Sequence, residues 1–361
     1  MTLKQILDQY VVDGWLKRCE RDGLYLYNYT AECQFAARWD YYTRMARGLI
    51  IDNDSNIIAR PLSKFFNFNE QPETQFLNLP KDEPEVSDKV DGSMVTLFKH
   101  NGAYQMATRG VFDSPQAVEA TKIFNANYAA ALPLIDAYED FTFVFEVIYP
   151  ENRIVVDYKG MRDIILLAVV HKKGGWDHTY AEVNKIATTL GFKSVHSEML
   201  TFDQVWEKVE QGQDNFEGYV LRFANGLRVK MKMEEYVRLH RMLTGISEWD
   251  IWDMLKNKRD ETPFVTNLPE EFKGWYESAK GNFVMQYNNL LTEAKAIYDG
   301  RPDTVSRKEV ALYIQDKTKD NKIVGSICFA LYKGSTQLFI DNMIWKHLEP
   351  NAIPKFKLNQ T

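Results

Sequence analysis

Alternation of apolar and polar residues with a period of two is the leading pattern up to about residue 235, and it predicts a series of short strands. Two Asn-Gly pairs, Asn101-Gly102 and Asn225-Gly226, each lie between two such runs and are typical of antiparallel hairpins. Two other runs, rich in Phe, Val, Ile and Leu, are more continuously apolar and indicate buried strands. The predicted strands span 46–52, 56–61, 94–99, 103–108, 141–147, 163–170, 217–223 and 227–231.

Helical signals interrupt these strands at three places. Ser114-Pro115 is a capping residue followed by proline at the first helical position. A second helix is predicted over 181–190, with one apolar face and Gly191 as its stop. Thr201-x-x-Gln204 is a capping box that begins a third. Strands with flanking helices predict an α+β domain of antiparallel sheets over residues 1–242.

Past about residue 240 the apolar period becomes helical, and no convincing strand pair is present. Ser306-x-x-Glu309 is a further capping box. These signals predict an all-α C-terminal domain over residues 243–361. One long stripe has the spacing of a buried helix face: Phe272, Tyr276, Ala279, Phe283, Tyr287, Leu290, Ala294 and Ile297.

Composition excludes several classes of protein. The net charge of −6 argues against a histone-like binder of duplex nucleic acid, although a local cationic groove is compatible with it. The longest aliphatic run, over 164–170, is far shorter than the roughly 20 residues of a membrane span. No secretory signal is apparent. Three widely spaced cysteines favour a reducing compartment over a disulfide scaffold or a thiolate zinc site, so we expect a cytoplasmic protein.

Candidate chemistry begins at Lys89-Val90-Asp91-Gly92. A Lys-x-Asp-Gly sequence occurs by chance roughly one time in ten in a chain of this length, and Asp-Gly is also a common turn. The motif gains weight from Glu146, which lies inside the apolar run Phe143–Val147. That carboxylate either faces solvent or, if buried, needs a cation or a ligand hydroxyl as partner.

A second group of charges lies on the hairpin around Asn225-Gly226. Glu217 precedes Gly218 at the start of one predicted strand. Lys230 and Lys232 lie two apart on the other, so they project from one face. The two lysines and the carboxylate are either a solvated strand edge or the floor of a phosphate-binding cleft.

The second interpretation matches a known chemical problem. A lysine amine is a nucleophile only when it is unprotonated, and neighbouring cations and burial both favour the neutral form. Lys230 and Lys232 would supply this effect to Lys89 while neutralising a triphosphate. Glu217 would hold a hydrated Mg²⁺. Attack of the lysine on an α-phosphate would then give a lysyl-nucleotide and release pyrophosphate.

The order Lys-x-Asp-Gly, apolar-Glu, Glu-Gly, Lys-x-Lys resembles the covalent nucleotidyltransferase superfamily of ATP-dependent ligases and capping enzymes. Four further segments resemble the phage RNA ligase 1 family in particular, in order and with near-family spacing. That family is similar in having a helical C-terminal domain, whereas DNA ligases and capping enzymes have an OB-fold of about five strands there. The segments are Tyr27-Asn28-Tyr29, Arg47-Gly48, 60–67 and Asn152-Arg153-Ile154-Val155.

The resemblance implies a role for each matching residue. Lys89 would become adenylylated, Glu146 would contact the ribose or a metal-bound water, and Glu217 would be the metal-associated carboxylate. Lys230 and Lys232 would bind the α-phosphate and the pyrophosphate. Arg109 stands where the family often has lysine, and its geometry differs, so its role is less certain. The remaining residues that the resemblance places around the nucleotide are Tyr27, Arg47, Lys64, Phe66, Gly92 and Arg109.

The resemblance therefore implies an ATP-dependent RNA ligase, with ATP and Mg²⁺, that joins 5′-phosphate and 3′-hydroxyl ends in RNA repair. Single-stranded RNA ends, including a cleaved tRNA loop, would be its substrates. We expect a monomer with no membrane association, acting in the host cytoplasm if it is of bacteriophage origin. One alternative is a GTP-dependent capping guanylyltransferase or a DNA ligase, which predicts an OB-fold tail. Another is a non-catalytic RNA-end-binding protein, which predicts no covalent adduct.

Overall fold

The computed structural model describes residues 1–237, 247–262, 273–303 and 306–350. The chain divides into two compact units, Met1–Leu243 and Thr244–Thr361. The first unit contains three sheets with helices around them, and its strands pair mostly in the antiparallel direction. No helix of the described ranges is both long and apolar enough to cross a membrane.

The first sheet is an antiparallel meander of four strands in the order β1-β2-β3-β4. One of its faces packs on the N-terminal helix α1, and the other packs on apolar residues of the second sheet. Its central strand β2 is therefore buried on both faces. The elements of this part are α1 (Leu3–Val12), β1 (Leu16–Arg21), β2 (Leu24–Tyr29), α2 (Ala31–Phe35), α3 (Tyr41–Met45), β3 (Arg47–Asp52) and β4 (Ile57–Ala59).

The second and third sheets each have five strands. The second has the order β11-β10-β9-β7-β8, and its core is built with helices α4 and α6. The third has the order β12-β6-β13-β14-β5. Their elements are β5 (Phe66–Asn67), β6 (Glu85–Asp88), β7 (Ser93–His100), β8 (Ala103–Thr108), α4 (Pro115–Asn127), α5 (Leu132–Ile135), β9 (Phe141–Ile148), β10 (Asp163–His171), α6 (Tyr180–Leu190), β11 (Lys193–Ser194), β12 (Ser197–Glu198), α7 (Phe202–Gln211), β13 (Gly218–Arg222) and β14 (Arg228–Lys232).

The connection between β6 and β7 positions the candidate chemistry. Strand β6 ends at Asp88 in the third sheet, and β7 begins at Ser93 in the second. The Lys89–Gly92 segment therefore passes from one sheet to the other. Residues on the facing strands of both sheets can reach it.

The described elements of the second unit are helices. Buried apolar residues line their contacts, and the indole N–H of Trp252 donates a hydrogen bond to the carbonyl of Trp345 at 2.7 Å. Ser306 caps its helix by accepting from the backbone N–H of Glu309, as its capping box predicts. Phe272 of the predicted stripe lies outside the described residues. The helices are α8 (Glu248–Asn257), α9 (Lys273–Asp299), α10 (Arg307–Lys317), α11 (Lys322–Tyr332) and α12 (Gln337–His347).

Several short elements were not predicted from the alternation of residues. Helix α1 begins with a capping box of Thr2 and Gln5, which is a local helix signal and not an alternation. Strand β5 is two residues long and pairs with β14 in the parallel direction. Strand β11 pairs with β10 in the same way. Such short strands exist because a neighbouring strand holds them, so their own sequence shows no period.

Candidate active site

The Lys89–Gly92 segment is fixed to the third sheet through its backbone. The backbone N–H of Lys89 donates to the carbonyl of Gly218 at 2.7 Å. Gly218 has φ +141°, and a Cβ atom at this position would lie 2.1 Å from the carbonyl oxygen of Met231. Only glycine fits there, which explains the Glu-Gly pair of the motif and places Glu217 beside Lys89.

Glu217 joins two lysines of the motif set. Its Oε1 lies 2.7 Å from Nζ of Lys89 and 2.9 Å from Nζ of Lys232. The Glu217 side chain is only 2% exposed, so its negative charge is balanced by these two ammonium groups. Three residues that are far apart in sequence therefore meet at one carboxylate.

Glu146 approaches the same segment from β9. A Cβ atom at Gly92 would lie 2.6 Å from the carbonyl oxygen of Val147 and 3.1 Å from Cγ of Glu146. Glycine at position 92 thus lets the loop lie directly on β9. Burial raises the pKa of the Glu146 carboxyl to about 8, and the nearby charge of Lys89 opposes this only in part. Glu146 is therefore protonated at neutral pH in this structure.

Lys230 is the centre of a cationic cluster. Burial is the main cause that holds the pKa of its ammonium group well below its usual range. The charges of Lys64, Arg47, Lys89 and Lys232 lower it further. Five cationic side chains thus converge on one buried place, which makes it a strong site for a polyanion.

Asp91 of the motif has a positioning role. Its Oδ2 accepts hydrogen bonds from the backbone N–H groups of Val155 and Val156 at 2.9 and 2.8 Å. Its Oδ1 accepts from the hydroxyl of Tyr236 at 2.8 Å, and the residue is 3% exposed. This carboxylate ties the Lys89 segment to the segment that follows Asn152, so both motifs share one support.

Replacing Asp91 with alanine is expected to lower the free energy of unfolding by about 3 kcal/mol, because three buried donors lose their acceptor. Urea denaturation monitored by circular dichroism measures this. Asp157→Ala is the matched control, since Asp157 is exposed and carries no comparable buried network. Equal stability of the Asp91→Ala and Asp157→Ala proteins would contradict the assignment.

The structure brings together most of the predicted site residues. Glu217 contacts Lys89 directly, and Glu146 lies beside Gly92 and within reach of the charge of Lys89. Arg47 and Lys64 adjoin it through Lys230. The members of this cluster, called the catalytic cluster below, are Arg47, Lys64, Lys89, Gly92, Glu146, Glu217, Lys230 and Lys232.

Two predicted residues lie apart from the catalytic cluster. Tyr27 is fully buried in the core of the first sheet, and its hydroxyl donates to Oδ1 of Asp8 at 2.7 Å. Arg109 contacts Tyr29, donating to its hydroxyl at 2.7 Å, and lies 3.0 Å from a Cβ placed at Gly48. Arg109 adjoins the cluster through Tyr29, whose hydroxyl also hydrogen-bonds with Arg47, and through its charge near Arg47.

The adjacent residues Phe65 and Phe66 contact different lysines of the catalytic cluster. Phe66 packs edge-on against Trp39, at 5.4 Å between ring centroids. It lies 4.5 Å from Nζ of Lys64. The ring that faces Lys230 belongs to Phe65, at 4.9 Å from Nζ. The sequence did not indicate the site contacts of Phe65 and Tyr29 or the support role of Asp91. Alternation along a strand shows that adjacent residues face opposite sides, but it does not show which side faces the site.

The residues present fit a divalent cation. Oε2 of Glu217 is buried and accepts no hydrogen bond among the described residues, so one carboxylate oxygen is available to a ligand. Glu146 lies close enough to influence the ionisation of this site. Carboxylate oxygens are the ligands that Mg²⁺ and similar ions prefer. Glu217, with Glu146 as its neighbour, is thus a chemically suitable place for such an ion.

Comparison with known proteins agrees with this geometry. A family model described as RNA ligase matches residues 45–236. A Thermovibrio ammonificans protein named "Putative RNA ligase" is 26% identical over 266 residues, which cover 70% of this chain and 69% of that protein. The RNA ligase of Rhodothermus phage RM378 is 22% identical over 370 aligned residues, which cover 82% of this chain and 83% of that protein.

The fold is that of nucleotidyltransferase-type ligases. An archaeal ATP-dependent RNA ligase aligns with a TM-score of 0.53 over 93% of this chain and 96% of its own, at 13% identity. The chain belongs to the RNA ligase family, since the matched segment spans more than half of it and includes the whole catalytic cluster. The predicted family and the RNA ligase class of enzyme are confirmed.

Proposed function

We propose that this RNA ligase uses ATP and that Lys89 is its covalent nucleophile. The observation that carries the proposal is the convergence of Lys89, Lys230 and Lys232 with Arg47 and Lys64 around the buried Glu217. Such a density of positive charge beside a lysine suits a triphosphate whose α-phosphorus lies within reach of Nζ. A non-catalytic RNA-binding protein would have no need of a lysine held by a buried carboxylate.

The reaction would proceed in three steps. In the first, Nζ of Lys89 attacks the α-phosphorus of ATP, a P–N bond forms, the P–O bond to pyrophosphate breaks, and the amine loses a proton. In the second, an oxygen of the RNA 5′-phosphate attacks the same phosphorus, a pyrophosphate linkage forms, the P–N bond to Lys89 breaks, and the amine takes up a proton. In the third, a 3′-hydroxyl attacks the activated phosphate, a phosphodiester forms and AMP leaves.

The side chains of the cluster supply charge neutralisation and position at each step. Lys230 and Lys232 balance the developing charge on the leaving pyrophosphate. Glu217 holds Lys89 in reach of the α-phosphorus through the 2.7 Å contact. A divalent ion such as Mg²⁺, held by Glu217 and contacted through water by Glu146, would add Lewis-acid stabilisation of the phosphates.

Replacement of Lys232 with alanine is expected to reduce lysyl-AMP formation by at least about 100-fold, because it removes a phosphate contact worth several kcal/mol in the transition state. Labelling with α-³²P-ATP measures the rate. Lys99→Ala is the matched control, since Lys99 also pairs with a carboxylate, Asp136 at 2.6 Å, but at the far end of β7. An adduct yield equal to that of Lys99→Ala would remove Lys232 from the site.

The sealing reaction itself tests the proposed function. A 5′-phosphorylated single-stranded RNA with a 3′-hydroxyl should be joined in the presence of ATP and Mg²⁺. GTP should not replace ATP, which separates this activity from capping chemistry. A nicked DNA duplex should be a poor substrate, which separates it from a DNA ligase. Product formed only with GTP, or only on nicked DNA, would contradict the proposal.

We further propose that the second unit selects the RNA, with ends from a cleaved tRNA loop as one candidate in RNA repair. The support is that the first unit, Met1–Leu243, contains the whole catalytic cluster, so chemistry does not require residues after it. The enzyme would act in the cytoplasm as a monomer.

Removal of residues 244–361 is expected to spare lysyl-AMP formation and to weaken sealing of a cleaved tRNA at least about tenfold relative to an unstructured RNA. Sealing rates of the full chain and of residues 1–243 on both RNAs measure the difference. An equal loss on both RNAs, with lysyl-AMP formation intact, would contradict a role in selection.

A further inference from the structure

A cleft of about 500 Å³ opens on the first unit beside the catalytic cluster. Its walls are α3, the segment 62–66, the loop after β10 and the turn between β13 and β14. This volume is in the range of sites that hold small organic groups. Lys64 of the catalytic cluster and Phe66 line one side of it, and the walls away from segment 62–66 have no role assigned above.

Two exposed aromatic rings stand on its walls. Trp176 is 52% exposed and Tyr41 is 61% exposed, although both belong to ordered parts of the fold. The indole of Trp176 stacks on His171 with 5.0 Å between centroids and 9° between planes, and it meets the edge of Phe141 at 5.5 Å. The ring is thus held by its neighbours while half of its surface remains accessible. Rings presented in this way are what unpaired bases stack on.

Arg60 holds the two aromatic walls in place. Its guanidinium donates to the carbonyl of Lys173 at 3.0 Å, next to Trp176 in the loop, and to the hydroxyl of Tyr41 at 3.4 Å. Gly175 has φ +71°, and a Cβ there would lie 2.4 Å from Cζ of Arg60, so glycine lets the loop approach the guanidinium without strain. One buried arginine thus contacts both the Tyr41 side chain and the loop that contains Trp176.

The cleft is continuous with the catalytic cluster along β14. Arg228, Lys230 and Lys232 alternate on this strand and so share a face. Arg228 lines the cleft and Lys232 contacts Glu217, and the four residue steps from one to the other span about 13 Å. A ligand in the cleft thus lies within one or two nucleotides' reach of the reacting phosphate.

The charge of the cleft favours a single strand over a free polyphosphate. Asp177 already pairs with Arg222, at 3.0 Å from Nε, and with Arg228. Arg44 pairs with Glu73 at 2.7 Å. These three arginines are largely balanced, whereas Lys64, which lines the cleft at segment 62–66, belongs to the cationic cluster around Lys230. Flat bases with widely spaced phosphates suit such a site better than pyrophosphate does.

We propose that this cleft binds the single-stranded RNA next to its reacting end, with bases stacked on Trp176 and Tyr41. The inference rests on the proposed function, since it concerns the substrate of the same reaction. The site is a specificity surface for unpaired nucleotides and takes no part in the transfer of AMP. Lys64, Phe65 and Phe66 line the cleft as well, so the segment 62–66 connects the two sites.

The test compares Trp176→Ala and Tyr41→Ala in two separate assays. Lysyl-AMP formation from α-labelled ATP should be unchanged, which also shows that the proteins fold. The KM for a short 5′-phosphorylated single-stranded RNA in sealing, and its Kd measured by fluorescence anisotropy, should each rise about tenfold per lost ring. Trp176→Phe should restore most of the binding. Trp206→Ala is the matched control, because Trp206 is 40% exposed but packs on Phe68 and Phe202, away from the cleft.

Three outcomes would overturn the inference. One is an RNA Kd equal to that of the control in both variants. Another is a fall in lysyl-AMP formation as large as the fall in sealing, which would assign the cleft to ATP. The third is an equal loss of binding for duplex RNA, which has no free bases to stack. If the unaltered protein formed no lysyl-AMP, the proposed function would fail, while the anisotropy measurement would still decide whether the cleft binds RNA.

Discussion

Lys89→Arg is expected to abolish ATP-dependent sealing, with a fall of at least about 10⁴-fold, while the protein stays folded. Loss of a covalent nucleophile has effects of this size because no other group can form the intermediate. Arginine keeps the positive charge beside Glu217, but its guanidinium does not act as a nucleophile at neutral pH. The change therefore separates the chemistry of Lys89 from its 2.7 Å contact with Glu217.

The measurement is the yield of lysyl-AMP and of sealed RNA, with thermal unfolding as the check on folding. Lys193→Arg is the matched control, since Lys193 makes a similar ion pair with Asp163 at 2.7 Å but lies on β11. The variant should still seal RNA that carries a chemically made 5′-adenylate, because that substrate bypasses the first step. Lysyl-AMP formation by Lys89→Arg at the normal rate would remove Lys89 from its assigned role.

Glu146→Gln is expected to make the protein more stable at pH 8 and less active. The pKa of Glu146 in the folded protein is about 8, above the ordinary value of 4.5, because the carboxyl is buried. Below the ordinary value both states are protonated, and the contribution of Glu146 to stability is fully present. As the pH rises from 4.5 to 8 the unfolded chain loses this proton and the folded protein keeps it, so stability falls progressively.

Glutamine does not ionise and lacks this dependence. The gain in unfolding free energy at pH 8 is of the order of 4 kcal/mol, and it should shrink toward zero near pH 4.5. Lysyl-AMP formation should fall at least about tenfold, since the carboxyl would contact the nucleotide ribose or a metal-bound water. A gain in stability together with a loss of activity is typical of a functional group kept at a structural cost.

Denaturant unfolding at a series of pH values from 4.5 to 8.5 measures the effect. Glu182→Gln is the control, because hydrogen bonds from the Thr179 backbone lower the pKa of that exposed carboxyl. Glu182→Gln should give no gain in the free energy of unfolding at pH 8. If the free energy of unfolding of Glu146→Gln changed with pH in parallel with that of the unaltered protein, the burial of an un-ionised carboxyl at position 146 would be contradicted.

The sequence predicted the parts of the fold and site that depend on regular spacing. The two Asn-Gly pairs do lie between antiparallel strands, and period two places Lys230 and Lys232 on one face. These features follow from local backbone geometry, so the sequence alone is enough to predict them.

Other features depend on contacts between distant segments and could not be predicted. No residue near Tyr27 in the sequence indicates that its hydroxyl donates to Asp8 of α1 and that its ring lies in a core. The choice between Phe65 and Phe66 depends on the parallel pairing of β5 with β14, which brings residue 67 opposite Lys230. The support that Asp91 gives to Val155 joins residues 64 positions apart.

The most direct test that Lys89 is the covalent nucleophile needs no RNA. The purified protein is incubated with Mg²⁺ and α-labelled ATP or, separately, α-labelled GTP. It is then denatured and digested, and the labelled peptide is sequenced. The intact mass, measured beforehand, shows whether the preparation already contains bound AMP. We expect label from ATP alone, located on Lys89. Label on another residue, label from GTP, or no label from a preparation shown to be free of AMP would contradict it.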